Sequence, residues 1–370
     1  MRKIEIYDAT LREGSQSASS SLRMKDMLTV AKQLGKLNVD VIEAGFPVSS
    51  EKEFYAVKEI AEKIEKPIAV LVRAKKEDIK KSWEAIKNAY KPRFHVFVAS
   101  SPDHRENKLQ KSKEEVKEMV KRNVNYALSL GAEVEFTAED GTRTEKDFLF
   151  TLYETASKEG TPFLCLADTV GYAVPNQFAS LVAELKKFNK KVSVHCHDDL
   201  GLAVANSLAA ISAGADEVHC TVNGIGERAG NASLEEIVVA LQVRKDFFDT
   251  YCNINMKEIY NTSKIVSEKF QVPIPMYKAV VGENATKHEA GIHVHYVKGY
   301  EVFDPEKIGR ERTIILGQHS GLHTIYELAR ECNTKVSEKE ARKMLDYIEE
   351  KEIKIEKENF QKFLEFIKQK

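Results

Sequence analysis

His195 and His197, in the run HCHDD, are separated by one residue and are the pair in this chain best suited to hold a metal ion. They end a β-rich segment, and residues two apart on a strand project to the same side. With a carboxylate nearby they make a ligand set for a divalent cation; the bland reading is a surface histidine pair. Glu13, in TLREGSQ behind the first strand-like run, is the expected third ligand, and Asn231, in NGIGERAGN, offers a neutral oxygen. Imidazoles with oxygen ligands and open positions suit Zn, Mn, Co or Mg with a bound substrate better than a closed structural site. Arg12 adjoins Glu13 and could stabilise an enolate or alkoxide beside the metal. Its plain alternative is an ion pair with Glu43 or Asp8.

Other motifs divide between chemistry and structure. The glycines of GIGERAG let backbone amides approach an anion at a helix N-terminus, or make nothing more than a tight turn. GIHVH holds a second spaced pair, His293 and His295, with no carboxylate cluster beside it, so a histidine acting as acid or base is the more economical reading. His288, His319 and His323 read as structural, and Cys196 and Cys220 as small core residues.

These side chains need a scaffold, and the chain repeats one. Eight β-rich runs start at Ile4, Val39, Pro67, Phe94, Ala132, Pro162, Lys191 and Ala215, with segments of helical spacing between them. Alternating strands and helices imply a parallel sheet, and eight units predict a closed (β/α)8 TIM barrel, an open doubly wound sheet being the rival. In a barrel the first strand neighbours the last, which brings Glu13 towards His195, His197 and Asn231. The loops after the strands are rich in polar residues: SSPDHR ends in Arg105, TAED holds Glu139 and ADTVG holds Thr169. That is the face where barrel enzymes keep their chemistry. The expected division is a catalytic barrel over 1–275 and a small, mostly helical subdomain over 276–370 that packs on the barrel or on a partner subunit. The segment from Ser337 to Lys370 alternates charges and reads as a solvated helical face.

Composition narrows the class. Lys and Arg number 56 against 57 Asp and Glu, so no net field draws nucleic acid or an acidic membrane. No run approaches the roughly 18 apolar residues of a membrane span. Five scattered cysteines without a CxxC suggest neither a disulfide framework nor a zinc ribbon, and a reducing cytoplasm fits. Small molecules and copies of the chain itself are the expected partners.

DATLREGSQ and the long block HCHDDLGLAVANSLAAISAGADEVHCTVNGIGERAGNASLEEIVVAL resemble the acetyl-CoA-dependent branch of the DRE-TIM metallolyases, the homocitrate, 2-isopropylmalate and citramalate synthases. The likeness runs from Tyr7 to Gly321. It implies an acyltransferase that condenses acetyl-CoA with a 2-oxo acid and hydrolyses the thioester, on a homodimer. By motif position Glu13, His195 and His197, with Asn231, resemble the ligands of a divalent metal. Arg12 resembles the arginine that polarises the carbonyl, and Glu139 and His293 the acid/base residues, the histidine reaching the partner's barrel in relatives. Thr169 resembles a contact for the substrate carboxylate; Gln16, Glu43 and Arg105 complete the expected substrate contacts.

Arg105 sits where homocitrate synthases carry an arginine for the distal carboxylate of 2-oxoglutarate, and a guanidinium facing an alkyl group would lack a partner. The expected product is therefore homocitrate. The alternatives are 2-isopropylmalate synthase acting on 2-oxoisovalerate, which the HCHDD to GIGERAG block resembles, and citramalate or Re-citrate synthase. A retro-aldol lyase and a non-catalytic metabolite-binding barrel are readings of other classes. HVHYVK departs from the HxDGxxK of these families at His295. The chain ends at Lys370, before the C-terminal regulatory domain of full-length isopropylmalate synthases, so leucine feedback through that domain is not expected.

Overall fold

All eight β-rich runs become parallel strands, and the eighth pairs with the first to close a barrel. The computed structural model describes Met1–Lys370. In chain order the barrel strands are β1 (Glu5–Asp8), β2 (Val41–Gly45), β3 (Pro67–Arg73), β4 (Lys91–Ala99), β5 (Glu133–Glu139), β6 (Phe163–Asp168), β7 (Lys191–Cys196) and β8 (Glu217–Cys220). The strands are buried on both faces, outward against helices and inward against each other, which is why they read as short apolar runs.

The helices between them follow their local signals. Met24–Leu37 buries Met27, Val30, Ala31, Leu34 and Leu37, an apolar stripe at helical spacing, and ends at Asn38 in the left-handed conformation (φ 67°). Lys113–Ser129 starts with a reciprocal cap: the Ser112 side chain accepts from the Glu115 N–H, and the Glu115 carboxylate accepts from the Ser112 N–H.

The barrel's interior is not a plain aliphatic core. Arg93 on β4 donates to both carboxylate oxygens of Glu217 on β8, at 3.0 and 2.8 Å, and His219 on β8 lies 3.0 Å from Glu135 on β5. These strands are not neighbours, so the contacts cross the barrel's inside. The β8–β1 register sets His219 opposite Tyr7, whose ring stacks on it at 3.8 Å.

The chain divides into two compact units, Met1–Ile274 and Pro275–Lys370. The second contains a small sheet of Lys287–His288, Thr313–Leu316 and Ile355–Glu356. Its Ser337–Lys370 segment is not the single solvated face expected from the charges: it forms two helices, Glu338–Lys351 and Lys357–Gln369, with Glu352 left-handed (φ 51°) after the first. Met344, Ile348, Phe360, Leu364 and Ile367 share a core with Leu316, Ile325 and Leu328, so the apolar half of each helix is covered. No helix is long and apolar enough to cross a membrane.

Candidate active site and metal centre

β1 is followed by a short helix, Thr10–Gln16, that carries Arg12, Glu13 and Gln16. Asp8 secures the turn into it, accepting from the Thr10 N–H at 3.0 Å and from the Thr10 hydroxyl at 2.8 Å. Burial raises the Asp8 carboxyl to about 7 in spite of those hydrogen bonds.

Glu13 Oε1 lies 3.0 Å from His195 Nε2 and 3.7 Å from His197 Nε2, and Arg12 pairs with the same oxygen. The ligand atoms of the three residues lie within 4.8 Å of one another and all three are buried. Burial on its own would raise the Glu13 carboxyl, but the Arg12 guanidinium and then the two histidines hold it well below the usual carboxylate range. Burial also pushes His195 down to about 3, against the pull of Glu13, and lowers His197. Both rings are thus neutral near pH 7, each with one ring nitrogen lone pair able to ligate. An ionised carboxylate facing two neutral imidazole nitrogens, one of them beyond hydrogen-bond range, is a donor set that a divalent cation fits.

Asn231 is adjacent. Its Nδ2 is 3.3 Å from His195 Nε2, and its Oδ1 is buried without a partner; turning the amide over exchanges the two. A Cβ at Gly226 would come within 2.0 Å of that oxygen, so this glycine makes room for Asn231. The GIGERAG loop acts here as a tight packing turn.

A layer of polar groups supports Arg12. Its Nε donates to Glu43 Oε2 at 2.7 Å, and Glu43 Oε1 accepts from the Tyr7 hydroxyl at 2.9 Å and lies 2.8 Å from His95 Nδ1. His95 Nε2 reaches Thr137 Oγ1 at 2.6 Å. Burial opposes the Glu43 charge, but Arg12 and His95 draw its carboxyl down to about 2.

Above this layer opens a cavity of about 330 Å³. Arg12, Glu13, Gln16, Glu139, Thr169, His195 and His197 all border it, as the sequence led one to expect. Phe46, Leu71, Phe97 and Ala167 give it an apolar wall. Thr169 Oγ1 accepts from the Asp140 N–H at 2.8 Å, which leaves its hydroxyl hydrogen available. Glu139 pairs with Lys108 at 2.6 Å through Oε1, while its Oε2 is buried without a partner.

Two expected site residues of the barrel do not line the cavity as substrate contacts. Glu43 is fully buried beneath Arg12 and is a support for it rather than a substrate contact, because its oxygens are already occupied. Arg105 does not border the cavity. Its guanidinium donates to the Ser100 carbonyl at 3.1 Å, to both Glu145 oxygens at 3.3 Å and to Glu106 at 3.1 Å, and it lies over the Phe148 ring. The expectation that it needed a substrate carboxylate is corrected: the protein's own carboxylates satisfy it. His293 belongs to the second unit, where its ring meets Tyr300 at 4.2 Å, and His295 faces His323 at 4.7 Å instead of pairing with it.

Sequence reading passed over His95, Thr137, Lys108 and Arg228, which also border the cavity. A signal existed for the first: in FHVFVA, His95 and Phe97 alternate with Phe94 and Val96, so a polar residue falls on an inward position.

A parallel barrel with a carboxylate and two neutral histidines at the C-terminal strand ends is the architecture of a metal-assisted enzyme. The comparisons agree. Residues 3–266 match the HMGL-like family model, and residues 280–368 match the model described as homocitrate synthase post-HMGL domain-like. The chain belongs to the HMGL-like family, in the acetyl-CoA-dependent branch of the DRE-TIM barrels. It is 50% identical over 349 residues to a 2-isopropylmalate synthase of Pyrococcus abyssi, covering 91% of this chain and 72% of that protein. With the Pyrococcus furiosus 2-isopropylmalate synthase the identity is 49% over 354 residues, covering 93% and 71%. Among solved structures, an HMG-CoA lyase of Bacillus subtilis matches with a TM-score of 0.64 at 23% identity, covering 75% of this chain and 97% of that one, which bears on the fold alone.

Proposed function

We propose that this protein condenses acetyl-CoA with 2-oxoisovalerate to give 2-isopropylmalate and free CoA. The observation that carries this reading is the cavity's side wall. Phe46, Leu71 and Phe97 offer hydrocarbon, and Arg105, the residue that argued for a dicarboxylic acceptor, is turned away into its own ion pairs. An isopropyl group gains from burial against that wall, whereas a second carboxylate there loses hydration and must draw Lys108 away from Glu139 to find a cation. The names of the half-identical relatives support the same acceptor.

Each polar residue has a task in this chemistry. Glu13, His195 and His197, with Asn231, would hold a divalent metal, which when bound polarises the acceptor's keto group. Arg12, held by Glu43, faces the cavity with its remaining N–H groups and stabilises the negative charge that grows on the acceptor oxygen as the new carbon–carbon bond forms. Glu139, a carboxylate that borders the cavity, serves as the base for the acetyl methyl proton. Thr169 donates its hydroxyl to the acceptor carboxylate. Water then hydrolyses the thioester and releases CoA.

The name of the C-terminal family model favours a second reading, homocitrate synthase. One experiment separates them. Purified protein with Mn2+ or Mg2+ is assayed for CoA release with 2-oxoisovalerate, 2-oxoglutarate, pyruvate and oxaloacetate. The expected result is a preference for 2-oxoisovalerate that Arg105→Met leaves unchanged in rank. A preference for 2-oxoglutarate that Arg105→Met removes would overturn the reading. CoA-independent cleavage of a hydroxy acid would instead place the protein among the lyases.

A further inference from the structure

Arg228 borders the cavity, yet its contacts point along the rim rather than into it. Its Nε donates to Asp199 Oδ1 at 2.7 Å and its Nη2 to Asp199 Oδ2 at 2.8 Å, a two-pronged pair. The same Nη2 donates to the Thr169 carbonyl at 2.8 Å. Thr169 belongs to the loop after β6, Asp199 to the loop after β7 and Arg228 to the loop after β8, so one guanidinium joins three successive loops of the barrel mouth.

Two further features point to a built device. Arg228 holds a left-handed backbone (φ 53°), a conformation a non-glycine residue adopts rarely and only where its surroundings impose it. Gly171, two residues past Thr169 and also left-handed (φ 60°), lies so close to Asp199 that a Cβ there would stand 2.7 Å from the Asp199 nitrogen and 2.8 Å from its Oδ2. The β6 loop is thus pressed onto Asp199 from one side and drawn to it by Arg228 from the other. Thr169 is fixed between this rim and the loop after β5, through the hydrogen bond that its Oγ1 accepts from the Asp140 N–H.

We propose that Arg228 is a positioning residue: with Asp199 it clasps the loops after β6, β7 and β8 and sets where the Thr169 hydroxyl meets the acceptor carboxylate. The inference rests on the reading of this cavity as the condensation site, and it adds the element that pre-organises one of its contacts. Only arginine suits the task. Its planar fork engages a carboxylate through two N–H groups while another N–H reaches a carbonyl, which a lysine ammonium does not reproduce with one geometry.

The test uses the full chain loaded with Mn2+, in the variants Arg228→Gln, Arg228→Lys, Asp199→Asn and the double variant Arg228→Gln/Asp199→Asn. KM and kcat for the best acceptor, KM for acetyl-CoA, Mn2+ affinity and hydrogen exchange of segment 168–173 are measured. Arg228→Gln and Asp199→Asn should each raise the acceptor KM by about tenfold or more. The double variant should be no worse than either single one, because both break the same clasp. Arg228→Lys should recover only part of the loss. Exchange should quicken in 168–173, with the KM for acetyl-CoA unchanged and, in the double variant that keeps the net charge beside His197, Mn2+ affinity unchanged as well.

If Asp199→Asn is harmless while Arg228→Gln raises the acceptor KM, Arg228 contacts the substrate directly and the clasp is wrong. Additive losses, or unchanged exchange in 168–173, also overturn it. Should the wild type turn over no 2-oxo acid, the functional reading falls, and hydrogen exchange alone then decides whether the clasp exists.

Discussion

Two clusters inside this barrel are built from the same residue types, and only one is suited to a metal. Glu13, His195 and His197 meet at the mouth; Glu135, Glu217 and His219 meet deeper in the barrel, and their ligand atoms also lie within 4.8 Å of one another. The difference lies in the balance of charges around each histidine. In the deep cluster burial disfavours the imidazolium, but two carboxylates outweigh it and raise His219 to about 9. A protonated ring has no lone pair to give, and Arg93 already holds both oxygens of Glu217. At the mouth two histidines share a single carboxylate that Arg12 also draws on, and burial prevails, so His195 falls to about 3 and stays neutral. Proximity of donors alone does not make a metal site. The surrounding cations decide whether the donors remain available.

This contrast can be broken experimentally, and the largest expected effect is at the mouth. Glu13→Gln should abolish stoichiometric Mn2+ binding in calorimetry and lower turnover by at least about a hundredfold. Full retention of Mn2+ binding would mean that the metal site has been misplaced. In the deep cluster, Arg93→Met leaves Glu217 buried without its guanidinium and should cost about 3–5 kcal/mol in urea unfolding. Metal binding per folded molecule should survive that change; its loss would make the two clusters one functional unit.

The smallest effect is on pH dependence. The folded value of His219, about 9, exceeds the ordinary histidine value of about 6.5. Its contribution to stability is therefore fully present below about pH 6.5 and disappears as pH rises through about 9. Melting temperatures from pH 6.5 to 10 should fall more steeply for the wild type than for His219→Gln. Parallel curves would show that His219 carries no such charge.

Much of this molecule could be read from the chain alone, because its signals are local. Strand-like runs alternate with helical spacing, so the barrel followed from periodicity. HCHDD ends a strand, and two-residue spacing puts both imidazoles on one side; closure of the barrel then brings Glu13 beside them. What stayed hidden was the outcome of competition between distant partners. Arg105 was legible as a guanidinium needing a carboxylate, but whether Glu145 or a substrate supplies it depends on residues 40 positions apart in sequence. Glu43 stands at a strand end like a substrate contact, yet Tyr7 and His95 from other strands and Arg12 from the helix after β1 converge on it. The Ser337–Lys370 segment shows its charges in sequence, whereas the partner for its apolar half is chosen only in the folded unit. Spacing along the backbone determines which way a side chain faces, and the sequence carries that. Which group it meets there is settled by a three-dimensional contest among charges and hydrogen bonds, and only the tertiary structure decided it.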